Sequence, residues 1–308
     1  MEPTLSPKRV AEAIGVSESS LKRWADGGRL RVERTVGGHR RIHRSEVLRF
    51  VRESRMRVQR PDLLGLSAPV VPVDRSGRAV DAVNPADTLH DQLSGGDAQA
   101  THTFLLDLYL KGMPIAEVCD GPIRAAMHRV GELWRCERER GIVVEHRATA
   151  TILQAVGSLR ATVTPSDAAG AGSDPRAGKP VALGGSPTGD PYLLPSILTA
   201  WVLADAGLDD INLGPETPIE AFVHAAEEYR PLVAWIACAC VDARPTNKDL
   251  KRVLAALQPH GGTLVIGGRG FLEAPPPPLP GLSFCRSMAE VRGLADELLA
   301  GRAGAATA

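Results

Sequence analysis

The sequence predicts a multidomain protein with an N-terminal winged helix-turn-helix, a middle four-helix bundle and a C-terminal α/β doubly wound, Rossmann-like (flavodoxin-like) domain. Three observations predict this fold class. Two short capped helices precede a glycine hairpin, apolar residues recur at helical spacing in the middle, and apolar runs later alternate with helical segments. The expected parts are 1–60 (winged helix-turn-helix), 61–85 (linker), 86–162 (bundle), 163–179 (linker), 180–301 (α/β domain) and 302–308 (disordered tail).

Charge is unevenly distributed along the chain. The 308 residues carry no net charge, yet residues 1–60 hold fifteen Lys or Arg against seven Asp or Glu. This segment therefore carries +8 and the remainder −8, an asymmetry typical of nucleic-acid binding, with an ordinary solvated surface as the alternative. No apolar run is long enough to span a membrane and no signal-peptide core opens the chain, which predicts a cytoplasmic protein without a membrane partner.

The cysteines indicate neither a disulfide framework nor a metal site. Their number is odd and no CxxC pair occurs. Cys238 and Cys240 lie in an apolar run, where small core residues are expected rather than reactive thiols. The five are Cys119, Cys136, Cys238, Cys240 and Cys285.

Two short helices near the N-terminus form a helix-turn-helix signature. Ser6 and Ser17 are expected to cap them, and Gly15 ends the first. The second helix would enter the major groove, and Trp24 on it is expected to anchor the core rather than to stack on a base. The candidate base and phosphate contacts on this helix are Ser19, Ser20, Lys22 and Arg23.

A hairpin comes after the second helix. Gly37-Gly38 forms its turn, and His39, Arg40 and Arg41 lie on the returning strand. Basic side chains on a hairpin beside a helix-turn-helix are expected to contact the phosphate backbone of duplex DNA. Ser45 is expected to cap a third helix.

The run from Ser6 to Val51, with its GGHRRI hairpin, resembles the MerR-type DNA-binding domain over about residues 4–55. The resemblance implies a double-stranded DNA operator with two-fold symmetry and a homo-oligomer, a dimer or tetramer. Many MerR proteins dimerise through a long coiled coil after the wing. The segment 61–85 is no such coil, so self-association is expected elsewhere in the chain.

The middle segment predicts two helices, one from Pro122 and one from about Gly141, separated by the RERG stretch. Pattern alone favours a plain four-helix bundle with Trp134 in its core. The segment also resembles the helical cap of MerR-type light-sensing regulators and of methionine synthase. In the light sensors a Trp, nine residues and then Glu-His cover the upper face of a cobalamin.

Trp134, Glu145 and His146 match those residue types, but ten residues intervene. The break at RERG is expected to absorb the extra one. Where the light sensors carry a His that binds cobalt after photolysis, this chain has Arg135, which stays protonated and does not ligate a metal.

The α/β segment resembles the cobalamin-binding Rossmann-like domain, whose pattern is DxHxxG, then SxL, then GG. In that family the His ligates cobalt, the Asp orients the His, the Ser contacts the displaced dimethylbenzimidazole tail, and the glycines let the tail pass. Asp190 stands at the Asp position, but Tyr192 replaces the His and Pro195 the Gly. Ala237-Cys238-Ala239 replaces SxL, and Gly267-Gly268 is intact. A phenol is a poor cobalt ligand unless it is deprotonated.

Three interpretations of the C-terminal modules therefore stay open. They bind no cofactor, they bind a cobalamin without a protein ligand below, or they bind another tetrapyrrole such as a bilin or haem. The resemblance implies a transcriptional regulator, a repressor that responds to light or cobalamin. The alternatives are a DNA-bound adaptor and a corrinoid carrier of a methyltransferase. No catalytic residue is predicted, and we expect no enzyme.

Overall fold

A computed structural model describes residues 4–35, 37–66, 84–163 and 178–307, with side chains outside 134–138 and 304–307. The chain divides into two compact units. One unit takes in the N-terminal residues to Pro114 and the helical stretch from Gly121. The other joins Ile115–Asp120 to the C-terminal part from Asp174.

The N-terminal elements form the expected winged helix-turn-helix. Ser6 Oγ accepts a hydrogen bond from Arg9 N at 3.3 Å, and Ser17 Oγ accepts one from Ser20 N at 3.1 Å, so both expected caps are confirmed. Strand β3 pairs with β1 on one side and β2 on the other. The elements are β1 Thr4–Leu5, α1 Pro7–Ile14, α2 Glu18–Asp26, β2 Glu33–Arg34, β3 Arg40–His43 and α3 Arg44–Ser54.

The expected cap at Ser45 is wrong. His43 occupies the N-cap position of α3 without a side-chain cap, and Ser45 is buried within the first turn at 1% exposure. Strand β3 runs directly into α3, so its last residue takes the extended cap conformation. His43 is therefore the cap because β3 leads straight into α3, although serine is the better cap residue.

The first linker begins later than expected. Pro61–Leu64 forms a 3₁₀ helix packed against α1, and Leu64 is 1% exposed. Arg9 Nε donates a hydrogen bond to Leu63 O at 2.6 Å. Residues 61–66 therefore belong to the winged domain, because one buried leucine holds them there. The rest of that linker, 67–83, and residues 164–177 of the second lie outside the described residues.

The middle segment differs from the expected bundle in its last helices. Helix α7 runs unbroken for 40 residues, so the expected break at RERG is wrong. Ala148, Ile152 and Val156 continue its buried face, and their packing outweighs the roughly 1 kcal/mol penalty of Gly141 inside a helix. The elements are α4 Pro85–Gly95, α5 Ala98–Leu110, the short α6 Ile115–Val118, a π-helix at Cys119–Ile123 and α7 Arg124–Val163.

Helix α3 of the winged domain packs against α5 and α7 of the helical segment. The Arg52 guanidinium lies 4.0 Å from the centre of the Tyr109 ring, a cation–π contact. His102 on α5 is half-buried, and desolvation, together with the nearby positive charge of Arg44 on α3, lowers its pKa. The winged domain, which we call the reader, thus contacts the helical segment through α3, and the contact includes this cation–π pair.

The C-terminal unit is a five-stranded parallel sheet in the order β5-β4-β6-β7-β8. The chain reverses direction across the sheet at β4, which is the flavodoxin-like order, so the doubly wound prediction is confirmed. The elements are β4 Val181–Pro187, α8 Leu194–Asp205, β5 Asp209–Thr217, α9 Ile219–Tyr229, β6 Val233–Ala237, α10 Asn247–Leu257, β7 Thr263–Gly267, α11 Arg269–Glu273, β8 Leu282–Phe284 and α12 Met288–Thr307.

The two faces of the sheet are covered by different helices. Ala234 and Ile236 of β6 pack in a buried cluster with Phe222 of α9 and Leu250 of α10. Because side chains alternate along a strand, Trp235 lies on the opposite face. There its Nε1 donates to Ser196 Oγ on α8 at 3.0 Å, which places α8 over the second face.

The end of the chain also departs from expectation. Helix α12 continues to Thr307, so the disordered tail expected at 302–308 is wrong for the described residues. Alanine is the strongest helix former, and the alanine-rich tail extends the helix. At the start of α12, the Asp120 carboxylate accepts from the backbone nitrogens of Met288 and Ala289, both at 2.9 Å. Within the described ranges, no helix combines the length and apolar character of a membrane span.

Replacing His102 by Gln should make stability less dependent on pH. The lowered pKa means that the folded protein takes up this proton at lower pH than the unfolded chain, whose pKa is about 6.5. Stability from neutral His102 is therefore complete above about pH 6.5 and is lost as the pH falls toward the folded pKa. We expect denaturant midpoints between about pH 7.5 and about pH 5.5 to fall less in His102→Gln than in the parent.

The matched control is His224→Gln, since the His224 side chain is 79% exposed. A pH dependence that changes equally in both variants would contradict the burial of His102 against α3.

Candidate nucleic-acid interface and sheet-edge site

Helix α2 presents the predicted contact residues from its first two turns. Ser17 Oγ lies 2.8 Å from Ser19 Oγ and 3.0 Å from Ser20 Oγ, so three hydroxyls cluster at the start of the helix. Ser19, Lys22 and Arg23 are exposed, and Ser20 is half-buried. Hydroxyls and cations at the N-terminal half of a recognition helix are suited to base edges and phosphates.

Trp24 holds α2 against α3. Its ring centre lies 5.1 Å from that of Phe50, which is 2% exposed. Trp24 thus packs on the domain core, as an aromatic anchor does.

The wing carries the other predicted contacts. His39 and Arg41 are exposed, whereas Arg40 Nη2 lies 2.5 Å from Asp26 Oδ1 at the end of α2. Arg40 therefore ties the wing to the helix as well as adding charge. Arg34, which the sequence analysis did not single out, pairs with Arg40 across the hairpin and is exposed. The available signal was its place in the short stretch that enters the Gly37-Gly38 turn, opposite the basic residues of the returning strand.

A carboxylate that the sequence analysis missed anchors the root of the wing. Glu46 on α3 accepts from Arg31 N at 2.7 Å, and its side chain is 8% exposed. Arg49 donates to both Glu46 oxygens, at 2.5 and 2.8 Å, and to Arg29 O at 3.2 Å. These bonds fix the segment between α2 and the wing on α3, so Glu46 and Arg49 are positioning residues.

At the carboxyl edge of the sheet, Asp190 braces two loops. It is fully buried, and its Oδ1 accepts from Tyr192 N at 3.0 Å. Its Oδ2 accepts from the backbone nitrogens of Ala239 and, at 3.2 Å, Cys240. The carboxylate that orients a His in the resembling family here holds the backbone after β4 and after β6.

The other edge residues surround this brace. Tyr192 is 46% exposed, and Ser186 Oγ donates to its carbonyl oxygen at 3.0 Å. Val241 and Leu272, which lie after β6 and β7, are also exposed apolar side chains. Tyr192, Val241 and Leu272, called the apolar rim below, thus follow three strands at the carboxyl edge, where doubly wound sheets bind ligands.

The space beside the glycines of the sheet is filled by the chain itself. A Cβ at Gly267 would lie 2.9 Å from Cys285 O, and one at Gly268, whose φ is +100°, 2.3 Å from Cys238 O. A Cβ at Gly184 would lie 2.3 Å from Trp235 Cδ2. Glycine is therefore required at these positions by internal packing.

The predicted cap residues lie in the other unit, on the single helix α7. Thr149 Oγ1 donates to Glu145 Oε1 at 3.0 Å, and His146 Nε2 lies 3.6 Å from Glu145 Oε2 with its side chain 75% exposed. The Trp134 side chain lies outside the described residues. Eleven positions on one helix separate Trp134 from Glu145 by about 16 Å along the axis, and an inserted residue rotates all later residues of the helix by about 100°.

Residues 4–55 match the family model of a helix-turn-helix domain. Residues 85–160 match that of a B12 binding domain. The chain thus combines a DNA-binding helix-turn-helix with a cobalamin-binding-like module. A search of curated proteins gave no match.

One solved corrinoid protein resembles the chain in fold at a TM-score of 0.50, and two others score lower. The monomethylamine corrinoid protein of Methanosarcina barkeri is 15% identical with a TM-score of 0.50, over 70% of this chain and 98% of that one. The methanol:cobalamin methyltransferase complex of the same organism is 15% identical with a TM-score of 0.35, over 70% of this chain and 80% of that one. A cobalamin-binding protein of Desulfitobacterium hafniense is 15% identical with a TM-score of 0.30, over 69% of this chain and 98% of that one. At this identity the likeness concerns the fold alone.

The sheet-edge residues do not fit a cobalamin held from below by the protein. Tyr192 replaces the ligating His, backbone donors occupy Asp190, and the glycines face the chain's own atoms. In the part of the chain that the structure describes, no group of three or more His, Cys, Asp or Glu is arranged to hold a metal.

Arg41→Ala should weaken binding to all duplex DNA and reduce the slope of log affinity against log salt by about one unit, since each phosphate contact contributes about 0.9. Arg34→Ala should weaken binding and reduce the slope by a similar amount. Filter binding over a range of salt concentrations measures the slope. Lys248→Ala, exposed on α10, is the control, and an unchanged slope in both arginine variants would remove the wing from the interface.

Asp190→Asn should reduce the free energy of unfolding by about 2–3 kcal/mol, because a charged acceptor of buried backbone N–H groups becomes a neutral amide. Asp242→Asn, exposed in the loop after β6, should change it little. Denaturant unfolding measures both. Equal stability of the two variants would show that Asp190 does not brace the loops.

Proposed function

We propose that this protein is a MerR-type transcriptional regulator, a repressor that binds a two-fold DNA operator as a homo-oligomer, a dimer or tetramer. The observation that carries the proposal is the set of exposed hydroxyl and basic side chains on α2 and on the wing, which the Arg40–Asp26 ion pair holds beside α2. Ser19, Lys22 and Arg23 are exposed on the helix, and Arg34 and Arg41 on the hairpin. A recognition helix beside a basic hairpin supplies base contacts and phosphate contacts together.

The packing of α3 supports a regulatory link. The helical segment that matches the B12 binding domain contacts the DNA-binding domain through α5 and α7. Arg52 over Tyr109 and Arg44 beside His102 lie in that contact. A ligand that moves α5 or α7 would change their contacts with α3 and so shift the position of the winged domain. Two sites are coupled when the contacts between them differ in the bound and free states.

For the signal we propose a tetrapyrrole at the carboxyl edge of the sheet, a cobalamin, bilin or haem, with light as an input. The apolar rim of Tyr192, Val241 and Leu272 supports a flat apolar ligand there. The resemblance to light-sensing regulators supports the input. The same site supports a regulator rather than an enzyme, because Tyr192 replaces the cobalt ligand of corrinoid carriers.

A specific observation favours a second candidate, a DNA-bound adaptor whose module takes no cofactor. Gly267 and Gly268, the glycines that would admit a cobalamin tail, face the backbone of Cys285 and Cys238, and Gly184 on β4 faces the ring of Trp235. The module would then serve self-association or partner binding. The helix-turn-helix is common to both candidates.

Selection of genomic duplexes by the full-length protein tests the proposal. We expect enrichment of a two-fold symmetric site over random DNA at moderate salt. Lys22→Ala with Arg23→Ala should abolish the preference, since each base contact is worth about 1–3 kcal/mol. The control, Lys251→Ala, lies on α10 and should retain it.

Repeating the selection with added adenosylcobalamin, biliverdin or haem separates the two candidates. A change in site affinity of about tenfold, equal to about 1.4 kcal/mol, supports the regulator. Unchanged affinity with each pigment supports the adaptor. No preference for any duplex, with or without pigment, would contradict both.

A further inference from the structure

The indole of Trp235 fills the centre of the sheet on the face that α8 covers. The residue is 1% exposed, and its Nε1 donates to Ser196 Oγ at 3.0 Å. Ser196 Oγ in turn lies 3.1 Å from Asn212 Oδ1, which also accepts from Gly214 N at 2.8 Å. The ring is thus held by packing and by a hydrogen-bonded chain that ends on β5.

The space that the ring occupies is created by a glycine on the neighbouring strand. Gly184 of β4 pairs with Trp235 of β6, and a Cβ on Gly184 would lie 2.3 Å from Cδ2 and 2.5 Å from Cγ of the ring. Contacts under 3 Å do not occur between real atoms of this kind. The ring therefore lies directly over the Gly184 backbone.

That space adjoins the segment that corresponds to SxL. Ala237 is two residues beyond Trp235, so both point to the face of α8. Ala237 pairs with Gly267 of β7. The Ser at the position of Ala237 contacts the displaced base of cobalamin in the resembling family, and the glycine at Gly267 lets the tail pass. Trp235 and these two residues share one face of two adjacent strands.

We propose that Trp235 is a specificity-determining residue that takes the place of the dimethylbenzimidazole base of cobalamin and excludes that base from the domain. An indole and a benzimidazole are both planar, fused six- and five-membered rings, so one substitutes for the other in volume and shape. A close-packed interior does not hold both. The sheet edge then accepts only a tetrapyrrole that inserts no base, a haem, a bilin or a corrinoid with its tail outside.

This inference deepens the proposed sensor and rests on it for the tetrapyrrole, but not on DNA binding. Failure of the duplex selection leaves the exclusion of the base untouched. Conversely, a cobalamin whose dimethylbenzimidazole base enters the domain would overturn the role of Trp235, even if the winged domain binds its operator.

The experiment compares the full-length protein with Trp235→Ala and Trp235→Leu. Hydroxocobalamin is titrated into each, and its visible spectrum reports whether the base leaves cobalt. Free 5,6-dimethylbenzimidazole is titrated separately, with the melting temperature as the readout. The matched control is Trp201→Ala, because Trp201 is a second buried tryptophan (2% exposed) that lies on α8.

We expect the parent protein to leave hydroxocobalamin with its base bound to cobalt and to gain no melting temperature from dimethylbenzimidazole. Trp235→Ala, though less stable, should bind dimethylbenzimidazole at least about tenfold more tightly than the parent does and should rise in melting temperature with its concentration. Its cavity leaves the Ser196 oxygen able to accept a hydrogen bond from a benzimidazole N–H, while the Ser196 hydroxyl still donates to Asn212 Oδ1. Trp201→Ala should show a smaller rise, since it leaves Trp235 in place.

Three results would overturn the proposal. The first is a base-displaced hydroxocobalamin spectrum in the parent. The second is a folded Trp235 variant whose affinity for dimethylbenzimidazole does not exceed that of the parent. The third is an equal gain in Trp201→Ala. If Trp235→Ala does not fold, Trp235→Leu takes its place in the dimethylbenzimidazole titration. The hydroxocobalamin spectrum of the parent protein tests the proposal without any variant.

Discussion

The contact between the Trp235 ring and the Gly184 backbone is the constraint on which the C-terminal unit depends. It requires glycine on β4, and it fixes α8 through the bond from Trp235 to Ser196. With the ring in place, β4 and β6 still pair in register and the sheet keeps its flavodoxin-like order. The flavodoxin-like fold is therefore maintained with a tryptophan ring packed over the Gly184 backbone, and Asp190 braces the loops at the carboxyl edge.

The reader depends on a second set of fixed contacts. Glu46 and Arg49 hold the root of the wing on α3, and Arg40 holds its returning strand on α2. The same helix α3 packs on α5 and α7. The placement of the wing and the packing of the helical segment therefore share one helix. A change in the packing of the helical segment would therefore act on the placement of the wing through α3.

Local patterns predicted much of the fold. The hydroxyl caps at Ser6 and Ser17 and the alternation of apolar runs with helices after residue 180 all appear in the structure, because capping and strand burial are encoded within a few residues. The unbroken α7 was not predictable in this way, since a buried face far along the helix overrides the glycine at Gly141. The helical tail was missed because its low complexity suggested disorder, although alanine favours helix.

The candidate site was predictable in position and less so in chemistry. The sheet order placed Asp190 and Gly267-Gly268 at one edge, as parallel strands require. What these residues contact is set by partners about 50 residues away, as with Asp190 and the backbone of Ala239 and Cys240. The buried clamp of Glu46 and the ring over Gly184 arise from such tertiary pairings, which no local pattern of one sequence records.

The most direct test of the account is the pigment content of the protein isolated from its own host. One absorbance scan followed by denaturing extraction measures which tetrapyrrole, if any, is retained and whether a nucleotide base was displaced. If Trp235 excludes the base, the isolated protein contains no cobalamin with its base displaced into the protein. A stoichiometric cobalamin in that state would contradict this exclusion.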